Sequence, residues 1–188
     1  MNNSRAKLQH RPFLTPIWVT VGVAGAALLF ALFMVWVWGT AGSTTVIVIR
    51  HAEQDAGDQA DARLSAAGEQ RAGLLARMFG GTGPGHLDAI YVSNTLRSRL
   101  TAMPLAMRLG VPLRVAAEGD AKAIARRALR EQGGGRVLIV THRDTLPGIV
   151  AALSGVEDIP KLSAEDYGVI YVVTVPRVGH ANLLRLNY

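Results

Sequence analysis

Thr45-Val46-Ile47-Val48-Ile49-Arg50-His51-Ala52-Glu53 decides how this chain folds. A β-branched apolar run closed by polar residues predicts a buried strand, here Thr45–Ile49. In open α/β sheets ligands bind just beyond the carboxyl ends of strands, so Arg50 and His51 stand where chemistry is done. Arginine is a fixed cation whose geometry matches phosphate. Histidine is a neutral nucleophile near pH 7 that can form a covalent intermediate. The pair points to phosphoryl chemistry. In isolation, Arg-His would equally describe a solvated strand end.

Two later segments repeat the design. Ala89-Ile90-Tyr91-Val92-Ser93 reads as a strand followed by Arg97, and Arg136–Thr141 reads as a strand followed by His142. Three apolar strands therefore each deliver a basic or imidazole group at or just past the C-terminal end. No metal-ligand spacing competes, because the five histidines are scattered and cysteine is absent.

At these residues the chain resembles the histidine phosphatase, or phosphoglycerate mutase-like, superfamily. Arg50-His51-Ala52-Glu53 is similar to that family's Arg-His-Gly/Ala signature. Ser93-Asn94-Thr95-Leu96-Arg97 with Thr101-Ala102 is similar to its second arginine motif. Val137-Leu138-Ile139-Val140-Thr141-His142 matches its second histidine. The resemblance runs over roughly residues 44 to 188. It implies a phosphohistidine intermediate on His51, with Arg50, Arg97 and His142 binding the phosphoryl oxygens and His142 a further catalytic residue. Such a group spreads charge over its equatorial oxygens, so preorganised positive charge supplies most of the catalysis. No cofactor and no metal are expected.

The resemblance further implies a carboxyl group that protonates the leaving oxygen. Glu118-Gly119-Asp120 lies in about the right place, after the strand Leu113–Val115 and before a helix starting near Ala121. Either Glu118 or Asp120 is the expected general acid; Asp120 is equally a helix N-cap before an Ala-rich run. Asp144 is a third candidate with a weaker match, because Arg143 separates it from His142. Glu53 is expected to cap its loop or contact a neighbouring arginine. Ser93 and Thr141 either orient Arg97 and His142 or terminate strands. Arg99 is expected on an exposed helix face, and His10 and His180 on the surface. Gly80–His86 lacks the lysine of a phosphate loop and reads as a connection.

A second strong feature precedes this region. No charged residue occurs from Ile17 to Gly39. About 20 apolar residues span a bilayer as a helix, and Trp18, Trp36 and Trp38 sit near the ends, where an aromatic belt places them. Arg5, Lys7 and Arg11 precede the run and no charge follows until Arg50. The positive-inside rule then puts residues 1–16 in the cytoplasm, residues 17–39 across the membrane, and residues 44–188 on the extracytoplasmic, periplasmic side. A cleaved signal peptide is the competitor, with small residues at Gly39-Thr40-Ala41. The apolar run is longer than a usual signal core, which favours an uncleaved anchor.

The net charge of +6 would suit nucleic acid. Three of the basic residues flank the apolar run, however, and no basic stripe with interleaved aromatics exists, so nucleic-acid binding is not expected. The remaining order is a helix near Ser65–Phe79, a helix near Leu96–Leu109 that Pro104 should kink or shorten, a helix Ala121–Arg130 and a short helix around Pro147–Leu153. Gly168–Val175 and Ala181–Leu186 read as a closing β-hairpin, and Gln54–Arg63 as an exposed loop. Strands alternating with helices predict an α/β three-layer sandwich with a mostly parallel central sheet, preceded by one transmembrane helix.

The leading expectation is a phosphomonoester hydrolase acting on an extracytoplasmic substrate, either a phosphorylated small molecule or an envelope glycolipid phosphate. A catalytically weak phosphate-binding or regulatory module of the same fold is the alternative. A phosphoglycerate mutase-type phosphotransferase is less expected, because the segments between motifs are short.

Overall fold

The computed structural model describes residues 16–40, 42–55, 62–83, 85–116 and 120–188. The chain divides into two units between Trp38 and Gly39.

The described part of the first unit is helical: it holds all but the last two residues of α1, Ile17–Thr40. The stretch Ile17–Trp38 has a mean hydropathy of 2.3 and is not buried by the protein. It is long and apolar enough to cross a membrane. A signal sequence near an N-terminus meets the same description.

The second unit is a six-stranded sheet with helices on both faces. In chain order it comprises β1 Thr44–Arg50, α2 Ala66–Phe79, β2 Ala89–Val92, α3 Leu96–Leu109, β3 Leu113–Val115, α4 Ala121–Glu131, β4 Arg136–Thr141, α5 Leu146–Ser154, β5 Val169–Val175 and β6 Asn182–Asn187. The sheet order is β3-β2-β4-β1-β5-β6. The first four of these strands run parallel, while β5 is antiparallel to β1 and forms a hairpin with β6. The mostly parallel sandwich and the closing hairpin are as the sequence predicts.

The period of two along each strand sorts the core into its two layers. Val46 and Val48 of β1 and Val137 and Ile139 of β4 face one way, onto Ile124, Ala128, Ile149 and Val150 of α4 and α5. Ile47, Ile49, Leu138 and Val140 face the other way, onto Leu75, Ala102 and Leu105 of α2 and α3. Burial on both faces is why these strands read as continuous apolar runs. Pro104 does not shorten α3, which continues past it to Leu109.

This topology creates the crevice. The chain leaves β1 through α2 on one face and leaves the adjacent β4 through α5 on the other, so the carboxyl ends of β1 and β4 open between diverging connections. Local contacts then fix the loop after β1. The His51 N–H donates to the Thr141 carbonyl at 2.9 Å. The Ala52 N–H donates to Thr101 Oγ1 at 2.9 Å, and that hydroxyl donates to the Arg97 carbonyl at 2.7 Å. The Glu53 carbonyl accepts from the Ser65 N–H at 3.0 Å. Gly68 lets the first turn of α2 lie against this carbonyl, because a Cβ there would stand 2.1 Å from it.

Candidate active site

β1 places His51 in the crevice with 5% of its surface exposed. Its Nδ1 lies 2.8 Å from the Ala52 carbonyl, which can only accept, so Nδ1 carries the proton. The lone pair is therefore on Nε2, where Arg97 Nε donates to it at 3.2 Å. The His142 ring stands edge-on, 5.3 Å between centroids. Arg50 is 7% exposed. The structure thus brings Arg50, His51, Arg97 and His142 together, from β1, the first turn of α3 and the residue after β4.

Burial dominates the electrostatics of His51. Desolvation, with smaller contributions from Arg97, His142 and Arg50, pushes its pKa from 6.5 down to about 4, against the raising effect of the Ala52 carbonyl. The imidazole is neutral at physiological pH, the form a nucleophile needs. A linkage follows. Between pH 6.5 and 4 the unfolded chain binds a proton that the fold refuses. The stability contributed by neutral His51 is therefore complete above pH 6.5 and is lost as pH falls toward 4, by up to about 3 kcal/mol. An NMR titration should find the His51 midpoint near 4. A midpoint near that of free histidine would contradict this environment.

The candidate acids are placed differently. Asp120 is the N-cap of α4: its Oδ1 accepts from the Lys122 and Ala123 N–H groups at 2.9 and 3.1 Å. Its side chain is 62% exposed and its Oδ2 lies 3.7 Å from Arg126. Glu118 lies outside the described residues, as do Arg5, Lys7, His10 and Arg11. Asp144 is exposed and paired with Arg143. Glu53 meets Arg71 in a bidentate pair, Oε1–Nη2 2.6 Å and Oε2–Nε 2.8 Å, which holds its carboxyl below the usual range. That is the neighbouring-arginine role expected for it. His86 sits on its loop, with Nδ1 3.0 Å from the Gly83 carbonyl. Arg99 and His180 are exposed, as expected.

Hydroxyls line the second motif. Ser93 Oγ donates to Ser98 Oγ at 2.6 Å, and Thr95 Oγ1 to Ser98 Oγ at 3.1 Å, at the start of α3 where Arg97 projects. A cavity of about 310 Å³ opens beside Arg97 and His142, walled by Ser93, Thr95, Ala116, Ile124 and Thr145. Among the described residues no group of three His, Asp or Glu side chains is gathered to hold a metal ion.

The segment after α5 contributes residues that sequence reasoning missed. The Ser163 and Ala164 carbonyls accept from Arg50 Nη1 at 3.2 and 2.8 Å. The Tyr167 ring stacks on the same guanidinium. No periodicity or motif marks this stretch. Its only signal is an aromatic residue just before the apolar run of β5.

The fold has counterparts among known proteins. The family model described as histidine phosphatase superfamily (branch 1) matches residues 46–119. A protein histidine phosphatase, SixA, solved with tungstate, shares the fold with a TM-score of 0.62 at 22% identity, over 76% of this chain and 96% of that one. A mycobacterial glucosyl-3-phosphoglycerate phosphatase aligns at 0.54 and 18%, over 77% and 99%. A phosphoserine phosphatase from Entamoeba histolytica, in complex with 3-phosphoglyceric acid, aligns at 0.57 and 16%, over 77% and 97%. No curated protein sequence matches the chain.

Proposed function

We propose that this chain, whose residues 46–119 match the family model and whose fold is that of the solved phosphatases, is a histidine phosphatase superfamily member and a phosphomonoester hydrolase working through a phosphohistidine on His51. One observation carries the reading: a buried, neutral His51 whose Nε2 lone pair faces Arg97, with Arg50 and His142 around it. Nε2 attacks phosphorus as the P–O ester bond breaks, and the leaving oxygen takes its proton from the general acid, Glu118 or Asp120. The phosphoryl oxygens take the Arg97 N–H that the free enzyme spends on His51, together with donors from Arg50 and His142. Water then attacks the phosphohistidine and returns Nε2 to its starting form. Charge is stabilised by donors already in place, a large term in phosphoryl transfer.

Substrates of this reading are phosphate esters, as the names of the mycobacterial and Entamoeba relatives suggest by analogy. The cavity beside Arg97 and His142 has room for a small esterified group. An envelope glycolipid phosphate fits the further proposal that residues 17–39 anchor the chain, with residues 44–188 outside the cytoplasm. Support comes from the uncharged helix and from Arg5, Lys7 and Arg11 before it. A reporter that works only outside the cytoplasm, fused after Tyr188, should be active; activity of a cytoplasmic reporter at the same place would reverse the orientation.

The catalytic test uses the full-length chain in detergent with EDTA present. Turnover of an aryl phosphate is expected, because a good leaving group needs little acid help. Phosphate binding through Arg50 and Arg97 without turnover would instead establish a binding module, a reading favoured by the exposed, capping position of Asp120. Glu118→Gln and Asp120→Asn then assign the acid. Loss of alkyl phosphate turnover well beyond the loss on aryl phosphate marks the proton donor; equal losses on both mark a structural role. A cap alone predicts little stability lost in Asp120→Asn, since asparagine caps as well as aspartate, and about 1 kcal/mol lost in Asp120→Ala.

A further inference from the structure

Arg50 is gripped, across more than a hundred residues of sequence, by a turn that carries no recognisable motif. Its Nη1 donates to the carbonyls of Ser163 and Ala164 at 3.2 and 2.8 Å. Its Cζ stands 3.8 Å from the centroid of the Tyr167 ring. The same ring lies 6.2 Å from the His51 ring, at 60°. The turn holds its own shape: an Asp166 carboxylate oxygen accepts from the Ser163 N–H at 2.7 Å, and the Tyr167 N–H donates to the Glu165 carbonyl at 2.9 Å. Arg50 Nε is buried and meets no acceptor among the described residues.

A guanidinium has five N–H donors in a rigid plane, so committing one edge and one face fixes where the others point. Here the carbonyls take the Nη1 edge and the aromatic ring takes a face. Nε is sealed from solvent as well as unpartnered, so an arriving anion can be met only by the guanidinium edge that the carbonyls and the ring leave uncommitted.

We infer that Tyr167 is a positioning residue for the phosphoryl site: its ring, with the Ser163 and Ala164 carbonyls, fixes the Arg50 plane so that the uncommitted edge of the guanidinium is offered to the oxyanion. This rests on the phosphoryl reading of the site given above. The ring face does the holding, through stacking and cation–π attraction that strengthen on desolvation. The hydroxyl takes no part. The turn at 163–167 is thus a second half of the Arg50 subsite, supplied from the far side of the sheet's central pair of strands.

The experiment measures orthovanadate affinity by calorimetry, and kcat and KM on an aryl phosphate, for the full-length chain in detergent micelles. Tyr167→Phe should stay within about twofold of the parent on all three. Tyr167→Ala should weaken vanadate binding about tenfold or more and lower kcat/KM at least as much. Tyr167→Leu keeps bulk without a π face and should lose nearly as much, which covers the case of an alanine variant that does not fold. In an Arg50→Ala background, Tyr167→Ala should add almost nothing, since both changes remove one unit. Three results would overturn the inference: Tyr167→Leu and Tyr167→Ala both within twofold of the parent, Tyr167→Phe as damaging as Tyr167→Ala, or an undiminished loss in the Arg50→Ala background. The last would mean that the ring acts on the ligand directly. Vanadate binding needs no turnover. A parent protein that binds it but hydrolyses nothing sinks the hydrolase reading while leaving this test decisive.

Discussion

Replacing His51 by alanine is expected to lower aryl phosphate turnover by roughly four orders of magnitude or more, the scale of loss when a covalent nucleophile is removed. The fold should survive. The imidazole is already uncharged in the native state, so no ion pair is broken. The lost contact to the Ala52 carbonyl is worth about 1 kcal/mol. Radiolabelled substrate, quenched in alkaline denaturant because nitrogen–phosphorus bonds are labile in acid, should leave its label on residue 51 of the parent and on nothing in the variant. Residual turnover above one per cent would remove His51 from the nucleophile's role. So would label on another side chain.

Arg97→Ala is the second large effect, with an expected loss of about 100- to 1,000-fold in kcat/KM, the usual consequence of deleting one preorganised donor to a developing charge. Arg97→Lys should recover only part of this, because a single ammonium cannot reproduce a planar fork. The same variant carries an independent readout. Arg97 lies 3.2 Å from His51 Nε2 and is among the groups that push the His51 pKa down. Without it, the histidine should titrate at a higher pH, and stability should begin to fall with acidification at a correspondingly higher pH. An unmoved titration alongside a large loss of rate would mean that the arginine serves the substrate alone.

Much of this arrangement is legible in the chain itself, for identifiable reasons. Strands buried on both faces leave unbroken apolar runs, so Thr45–Ile49 and Arg136–Val140 announce themselves; the observed strands extend beyond these by no more than a residue at an end. Residues that end such strands inherit a place in the crevice from topology, which is why Arg50, His51 and His142 stand out. Arg97 is legible from its offset after Ser93. Other features depend on tertiary placement. Pro104 predicts a kink or a shortening in a helix read as Leu96–Leu109, and α3 keeps those bounds, because packing of Leu105 and Ala106 outweighs one missing hydrogen bond. Tyr167 carries only the weak signal of an aromatic residue before β5, because its role is set by Arg50, more than a hundred residues away in sequence. Asp120 offers two readings in sequence, and the cap is the one its contacts display.

The loop after β1 is bonded three times over, at the His51 amide, the Ala52 amide and the Glu53 carbonyl, to β4, α3 and the residue before α2. Its main chain is therefore immobilised when the protein folds and not when a ligand arrives. In the proposed reaction an incoming anion would meet an imidazole whose backbone is already fixed, so part of the entropy of aligning the reactants would be shed in advance and binding energy freed to act on the barrier.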